Sequence, residues 1–327
     1  MKNSLINTIQ FVMLGVVLAL PGHLNAQTAF PSKPIRLVTA IPPAFDSYIR
    51  LLGSNLATQL GRPVVVENKV GGNFTIATQA VATAAPDGHT LIIQSVLALV
   101  SKNVLPALQF EPVTDFAAVA RIYDTGASVL MVRTELPARN VEQLISMVKG
   151  SPGRLSYGSS GSGSLSHLAA EVFMVLIQGK TLHVPFKSSG DLLQGFMRGD
   201  IDFTISVTTT ALPQIRTGKV RALAVTTAER IKDLPDVPTL SDVVKSELLT
   251  LENWSGLAAP AKTPAEIVRR LNNETFKALA DPGLRKVIEA TGNEVAAPES
   301  PEQYAAFVRR ENDKWREIVK LAGIKPE

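Results

Sequence analysis

Two hydrophobic periods run along the chain. "IRLVTAI" (35–41) is a continuous β-branched run, as expected of a strand buried on both faces. Ile49, Leu52, Leu56 and Leu60 then recur at helical spacing, with Gly61 closing that helix and Pro63 just beyond. "VVV" (64–66) and "LIIQ" (91–94) restart the strand pattern on either side of a helix near 75–85. A second series follows: a strand "SVLMV" (128–132), a helix "NVEQLISMVKG" (140–150) with Asn140 and Gln143 at capping-box spacing, and strands "LHV" (182–184), "IDFTISV" (201–207) and "RALAV" (221–225). After Trp254 helices dominate, the last carrying Tyr304, Phe307, Val308, Glu311, Trp315, Ile318, Val319 and Ala322 on a helical period.

Strands alternating with helices predict an α/β fold whose sheets are covered by helices. The pattern has no internal repeat and no low-complexity linker, so we expect two lobes joined by ordered crossovers. Lobe 1 takes residues 27–126 and 254–327 and lobe 2 takes 127–253, leaving a cleft between them. Residues 1–26 read as a secretory signal: Lys2, a short apolar run from Phe11 to Leu20, and "LNA" ending at Ala26. Cleavage near Ala26 would place the chain in the periplasm; an uncleaved anchor is the alternative.

Composition narrows the function. Removing the leader takes away Lys2 and no acid, so the formal charge falls from +4 to +3, and the basic residues are scattered. That is no nucleic-acid footprint. The chain has no cysteine, which excludes disulfides, thiolate metal sites and a cysteine nucleophile. The mature histidines, His89, His167 and His183, lack a second ligand at a familiar spacing, so neither metal nor cofactor is expected.

Three strand-to-helix loops carry the candidate chemistry. "YGSSGSGSLSHLAAEVF" (157–173) has no lysine after its glycines, which excludes a nucleotide phosphate loop, and no G-x-S-x-G elbow. It fits a glycine turn leading into a helix capped by Ser164, with Ser160, Gly161, Ser162, Gly163 and Ser164 offering backbone N–H groups to an anion. An ordinary flexible turn is the other reading, and a hydrolase using Ser160 or Ser162 with His167 is the enzyme alternative. "PPAFD" (42–46) and "ENKVGGNF" (67–74) occupy equivalent places, at strand C-terminal ends where open α/β sheets bind ligands. They add Pro43, Ala44, Phe45 and Asp46, and Gly71, Gly72, Asn73 and Phe74. Ser95, just after "LIIQ", and Ser206, within "IDFTISV", complete the candidate ligand set. Lys187 reads as a solvated surface charge.

Taken together, several segments resemble one family, the extracytoplasmic solute receptors of tripartite tricarboxylate transporters, or Bug receptors. The matching stretches are "PSKPIRLV" (31–38), "GRPVVVEN" (61–68), "PDGHTL" (86–91), "DFAAVA" (115–120), "PGRLSYGSSGSGSLSHLAAEVF" (152–173), "HVPFK" (183–187), "GKVRALAVT" (218–226), "LPDVPTL" (234–240) and "WSGLAAPAKTPAEIVRRLN" (254–272). The resemblance implies a two-lobed, Venus-flytrap periplasmic binding protein of type II-like architecture. It implies a monomer with no chemistry of its own, which captures a small organic carboxylate for membrane transporter subunits. The carboxylate would be held by the three loops named above.

The chain departs from the family pattern at those loops. Ala44 and Phe45 stand where the first loop usually has glycines, Val70 replaces a proline, Asn73 and Phe74 replace glycines, and Gly195 and Ser206 stand where aspartates are common. We therefore expect a less anionic, more apolar pocket for a monocarboxylate with an aromatic or branched body. Two other readings stay open: a receptor serving a signalling system, and a cleft blocked by Phe45 and Phe74.

Overall fold

The computed structural model describes residues 30–125, 128–290 and 293–323, so the expected leader lies outside the described residues. In chain order the elements are β1 (Ile35–Thr39), α1 (Ser47–Leu60), β2 (Val64–Asn68), α2 (Thr75–Ala82), β3 (Thr90–Ser95), α3 (Val96–Val104) and β4 (Phe116–Thr125). Then come β5 (Ser128–Arg133), α4 (Val141–Gly150), β6 (Ser156–Ser159), α5 (Leu165–Leu176), β7 (Leu182–Pro185), α6 (Ser189–Arg198), β8 (Phe203–Val207), α7 (Thr208–Arg216), β9 (Val220–Val225) and α8 (Leu240–Val244). The chain ends with β10 (Asn253–Pro260), α9 (Ala265–Leu279), α10 (Pro282–Glu289), β11 (Asn293–Val295) and α11 (Pro301–Leu321).

These strands form two mixed sheets. One has the order β11-β4-β10-β3-β1-β2 and the other β7-β6-β8-β5-β9. Within the first, β1 runs parallel to β2 and β3 while β10 is antiparallel to both β3 and β4. Within the second, β6 is parallel to β7 and β8, and β5 is antiparallel to β8 and β9. The chain leaves the first sheet after β4 and returns to it at β10. The two crossings are stitched together: Thr226 N–H donates to Ser128 O (2.9 Å) and Leu251 N–H to Thr226 O (2.8 Å), while the Thr226 hydroxyl donates to Leu251 O (3.1 Å). These bonds hold the two crossings side by side.

Local sequence explains the ends of the elements. Gly61 closes α1 at φ 66°, a left-handed conformation that costs a glycine little. Ser300 and Gln303 close a reciprocal capping box at the start of α11. At α4 the expected box is half made: Asn140 accepts from Gln143 N–H, but the Gln143 side chain reaches Arg139 N–H (2.7 Å).

The largest apolar cluster runs through both sheets' layers, from Leu99 on α3 through Leu168 and Phe173 on α5 to Trp254, Tyr304 and Trp315, all buried. α11 packs on α3 and β4 as well as on α5, so it braces both lobes.

Candidate functional site

A cavity of about 320 Å³ opens where these elements meet. Its second-sheet wall is the 160–166 segment with Ser189, Leu192, Ile205, Ser206 and Val207; its first-sheet wall is α3, through Leu97, Val100 and Ser101. Ser128, Leu251, Glu252 and Asn253 at the crossings and Trp315 of α11 complete the lining. Hydroxyls dominate the polar lining. Glu252 is the one charged residue among the described lining residues, and its carboxylate accepts from Ala228 N–H (3.4 Å). Asn253 Oδ1 and Trp315 Nε1 are buried without a hydrogen-bond partner.

The Ser/Gly segment is a turn whose donors are mostly spoken for. Gly161 (φ 123°) and Gly163 (φ 74°) hold conformations that other residues adopt only with strain. Ser160 N–H donates to Ser166 Oγ (3.0 Å), Gly161 N–H to Ser159 Oγ (3.3 Å), Gly163 N–H to His167 Nδ1 (3.0 Å) and Ser164 N–H to Gly161 O (3.2 Å). Ser164 caps α5 by accepting from His167 N–H. What remains uncommitted is Ser162 N–H, together with the N–H groups of Leu165 and Ser166 in the first turn, where a helix has no internal acceptors. All three residues line the cavity. Of the 160–164 donors expected to face an anion, side chains and carbonyls of the same segment take four, leaving Ser162 N–H beside those of Leu165 and Ser166.

The first-lobe loops are placed differently from expectation. Pro43, Ala44 and Phe45 form an exposed 3-10 turn, with Phe45 73% exposed. Asp46 is 1% exposed; its oxygens accept from Arg50 (2.9 Å) and from Asn68 Nδ2 (2.8 Å). Expected to meet ligand, Asp46 instead ties the first loop to the end of β2. Gly71 and Gly72 lead into a second 3-10 turn, Gly72–Phe74, which packs against α3. Phe74, at φ 75°, rests against the apolar cluster of Val38, Ala77 and Phe116 in its own lobe. Asn73 lies in that turn, and its side chain is outside the described residues. None of the described residues from 43 to 46 or from 71 to 74, neither phenylalanine included, is among the described lining residues. Ser95 caps α3 by accepting from Leu97 N–H (3.3 Å) and is not itself among the described lining residues. Ser206 lines the cavity with its hydroxyl against Thr210 Oγ1 (3.1 Å).

The chain matches the family described as "Tripartite tricarboxylate transporter family receptor" over residues 48–324. It belongs to that family. BugT of Bordetella pertussis is 30% identical to the receptor, over 96% of this chain and 97% of its own. An R. palustris structure with adipate is 30% identical at TM-score 0.73, covering 91% of this chain and 100% of that one. MatC from Rhodopseudomonas palustris with bound malate is 30% identical at TM-score 0.71, covering 89% and 100%. These relationships make the receptor a periplasmic-type solute-binding protein with the two-lobed fold expected above. The family and its structural neighbours are binding proteins and not enzymes.

The internal geometry of the receptor agrees with a binding role. Ser160 Oγ pairs with Ser166 Oγ, and His167 Nδ1 accepts from Gly163 N–H. One serine–histidine pair does exist, Ser159 Oγ to His183 Nε2 at 2.7 Å, but Ser159 is 0% exposed and its hydroxyl is bound to Gly161 O. Among the described residues no group of three or more His, Cys, Asp or Glu is placed to hold a metal. Ser166, Ser189, Asn253 and Trp315 were missed by the sequence reading; Ser166, two residues past the Ser164 cap, was the one within reach of local argument.

Proposed function

We propose that the receptor captures a small organic carboxylate in the cavity between its lobes and presents it to the membrane subunits of a tripartite tricarboxylate-type transporter. The observation that carries this reading is the set of three uncommitted N–H groups at Ser162, Leu165 and Ser166. They sit at a helix N-terminus and border a cavity with no Lys or Arg among its described lining residues. Each charge-assisted hydrogen bond contributes about 1.5–3 kcal/mol, and the helix dipole adds about 0.3–1 kcal/mol. Adipate and malate in the two R. palustris structures support the ligand class.

The finer proposal is a monocarboxylate with an apolar body. One carboxylate uses up the free donors, and the walls beyond them carry Leu97, Val100, Leu192 and Ile205 without a cation for a second acid. The lobes, 27–126 with 254–327 and 127–253, would close about the Ser128/Thr226/Leu251 hinge, driven by a ligand that touches both walls.

A thermal-shift panel tests both levels. At hundredfold excess over Kd a ligand stabilises by about 2.7 kcal/mol, or about 4 °C for a chain of this length. Benzoate is expected to raise the melting temperature more than adipate, malate or citrate. A larger shift with citrate would overturn the apolar monocarboxylate; no shift with any acid would overturn carboxylate capture.

A further inference from the structure

Directly behind the turn lies a column of aromatic and titratable side chains that solute capture does not by itself require. Tyr157, His183 and His167 stack in order, with centroids 4.8 Å apart for Tyr157 and His183 and 4.2 Å for the two imidazoles. The column is bonded to the turn at both imidazoles: Gly163 N–H donates to His167 Nδ1 (3.0 Å), and His183 Nε2 meets Ser159 Oγ (2.7 Å), which itself bonds both the N–H and the carbonyl of Gly161. Two of the four consumed N–H groups therefore depend on this column.

We propose that His167 is a positioning residue whose neutral, Nδ1-accepting form holds the Gly161–Ser164 turn in its anion-binding shape, so that protonation of the imidazole pair loosens the turn and weakens carboxylate capture. The inference rests on the carboxylate reading for its binding consequence and on the geometry alone for its structural one. Because Nδ1 accepts from Gly163, the ring proton of neutral His167 must sit on Nε2. A second proton converts Nδ1 into a donor pointing at another donor. That bond is lost, and Gly163 is released from the contact that stabilises its positive φ.

The groups facing the pair set how easily that proton arrives. Glu171, one turn along α5, stands 3.9 Å from His167 Nε2 and accepts from Tyr157 of β6. His183 comes from β7, and Phe203 of β8 packs on Tyr157 without charge. α11 and the 247–249 turn meet α5 through the apolar cluster of Trp315, Ile318 and Leu249. Glu171 therefore favours a cation at His167. Burial, then the neighbouring His167, hold His183 down to about 4. A positive charge behind the turn also attracts an anion, which opposes the loss of shape; we assign the larger effect to shape, since the free donors at Ser162, Leu165 and Ser166 bind only if the turn aligns them.

The test follows the His167 ring nitrogens and the Gly163 amide by NMR in the full mature chain from pH 7.5 to 5. Over the same range benzoate, which stays mostly ionised, is titrated calorimetrically. Loss of one hydrogen bond's alignment predicts that benzoate affinity falls about tenfold on acidification. In His167→Asn, whose Oδ1 replaces the Nδ1 acceptor but does not ionise, the fall should be under about twofold. Co-titration of ring and amide with this loss supports the proposal. An amide that ignores the ring's titration, an affinity that rises on acidification, or an unchanged slope in His167→Asn overturns it. Ring and amide titrating together while benzoate binds at no pH would overturn the carboxylate reading and leave the histidine–turn coupling standing.

Discussion

Leu165 is the first helical residue of α5, and replacing it with proline deletes one of the three free donors while sparing the fold. Proline is favoured at this position because its missing N–H would have no internal acceptor. The preceding residue must be extended, and Ser164 already is, at φ −71° and ψ 161°. The cost is the leucine side chain, which packs partly against the main core cluster. Leu165→Ala removes the same side chain and keeps the N–H, so the comparison of the two variants isolates the donor. One charge-assisted hydrogen bond of about 1.5–3 kcal/mol corresponds to a weakening of about 10- to 160-fold. Isothermal titration with benzoate, and with adipate as a second acid, should show Leu165→Pro binding at least about tenfold more weakly than Leu165→Ala, with melting temperatures within a few degrees. Equal affinities in the two variants would refute the assignment of this N–H to the ligand.

Asp46→Ala separates scaffold from contact: it should destabilise by about 1–3 kcal/mol through the lost bonds to Arg50 and Asn68, read by urea unfolding, while benzoate affinity falls less than in Leu165→Pro. Gly158→Ala would set a methyl 2.2 Å from Ile201 Cδ1 and 2.6 Å from Leu192 Cδ1, so overpacking should cost about 1–3 kcal/mol in the same assay. His183, held down to about 4 chiefly by burial, adds stability that is present above its usual 6.5 and lost as pH falls toward 4. Asp124, raised to about 6 chiefly by burial, has the opposite sign: its contribution is complete below the usual carboxylate value and lost as pH rises through about 6. Melting curves between pH 7 and 4.5 should therefore show a shallower acid loss in His183→Asn than in wild type and a steeper one in Asp124→Asn; the reverse order would contradict these assignments.

Much of the fold was legible because burial leaves a direct trace in local pattern. The β-branched run at 35–41 became β1, the apolar stripe from Ile49 to Leu60 became the buried face of α1, and Gly61 ended it as its conformation requires. The pairing order was not legible, since β10 inserts between β3 and β4 from some 130 residues farther along the chain. At the site, the Ser/Gly turn and its Ser164 cap were readable from residue types alone. Which N–H groups stay free was not, because that depends on where the Ser166 hydroxyl and the His167 ring end up. The first-lobe loops follow β1 and β2 as read, but their tertiary contacts were not legible. Asp46 is claimed by Asn68, 22 residues away, and α3 takes the wall that the 72–74 turn was expected to form.

The most direct measurement is a crystal structure of the receptor with benzoate. The carboxylate is expected within about 2.7–3.2 Å of the backbone nitrogens of Ser162, Leu165 and Ser166, with the ring against Leu97, Val100 and Ile205. A carboxylate bound instead among residues 43–46 and 71–74, with those three nitrogens untouched, would contradict it.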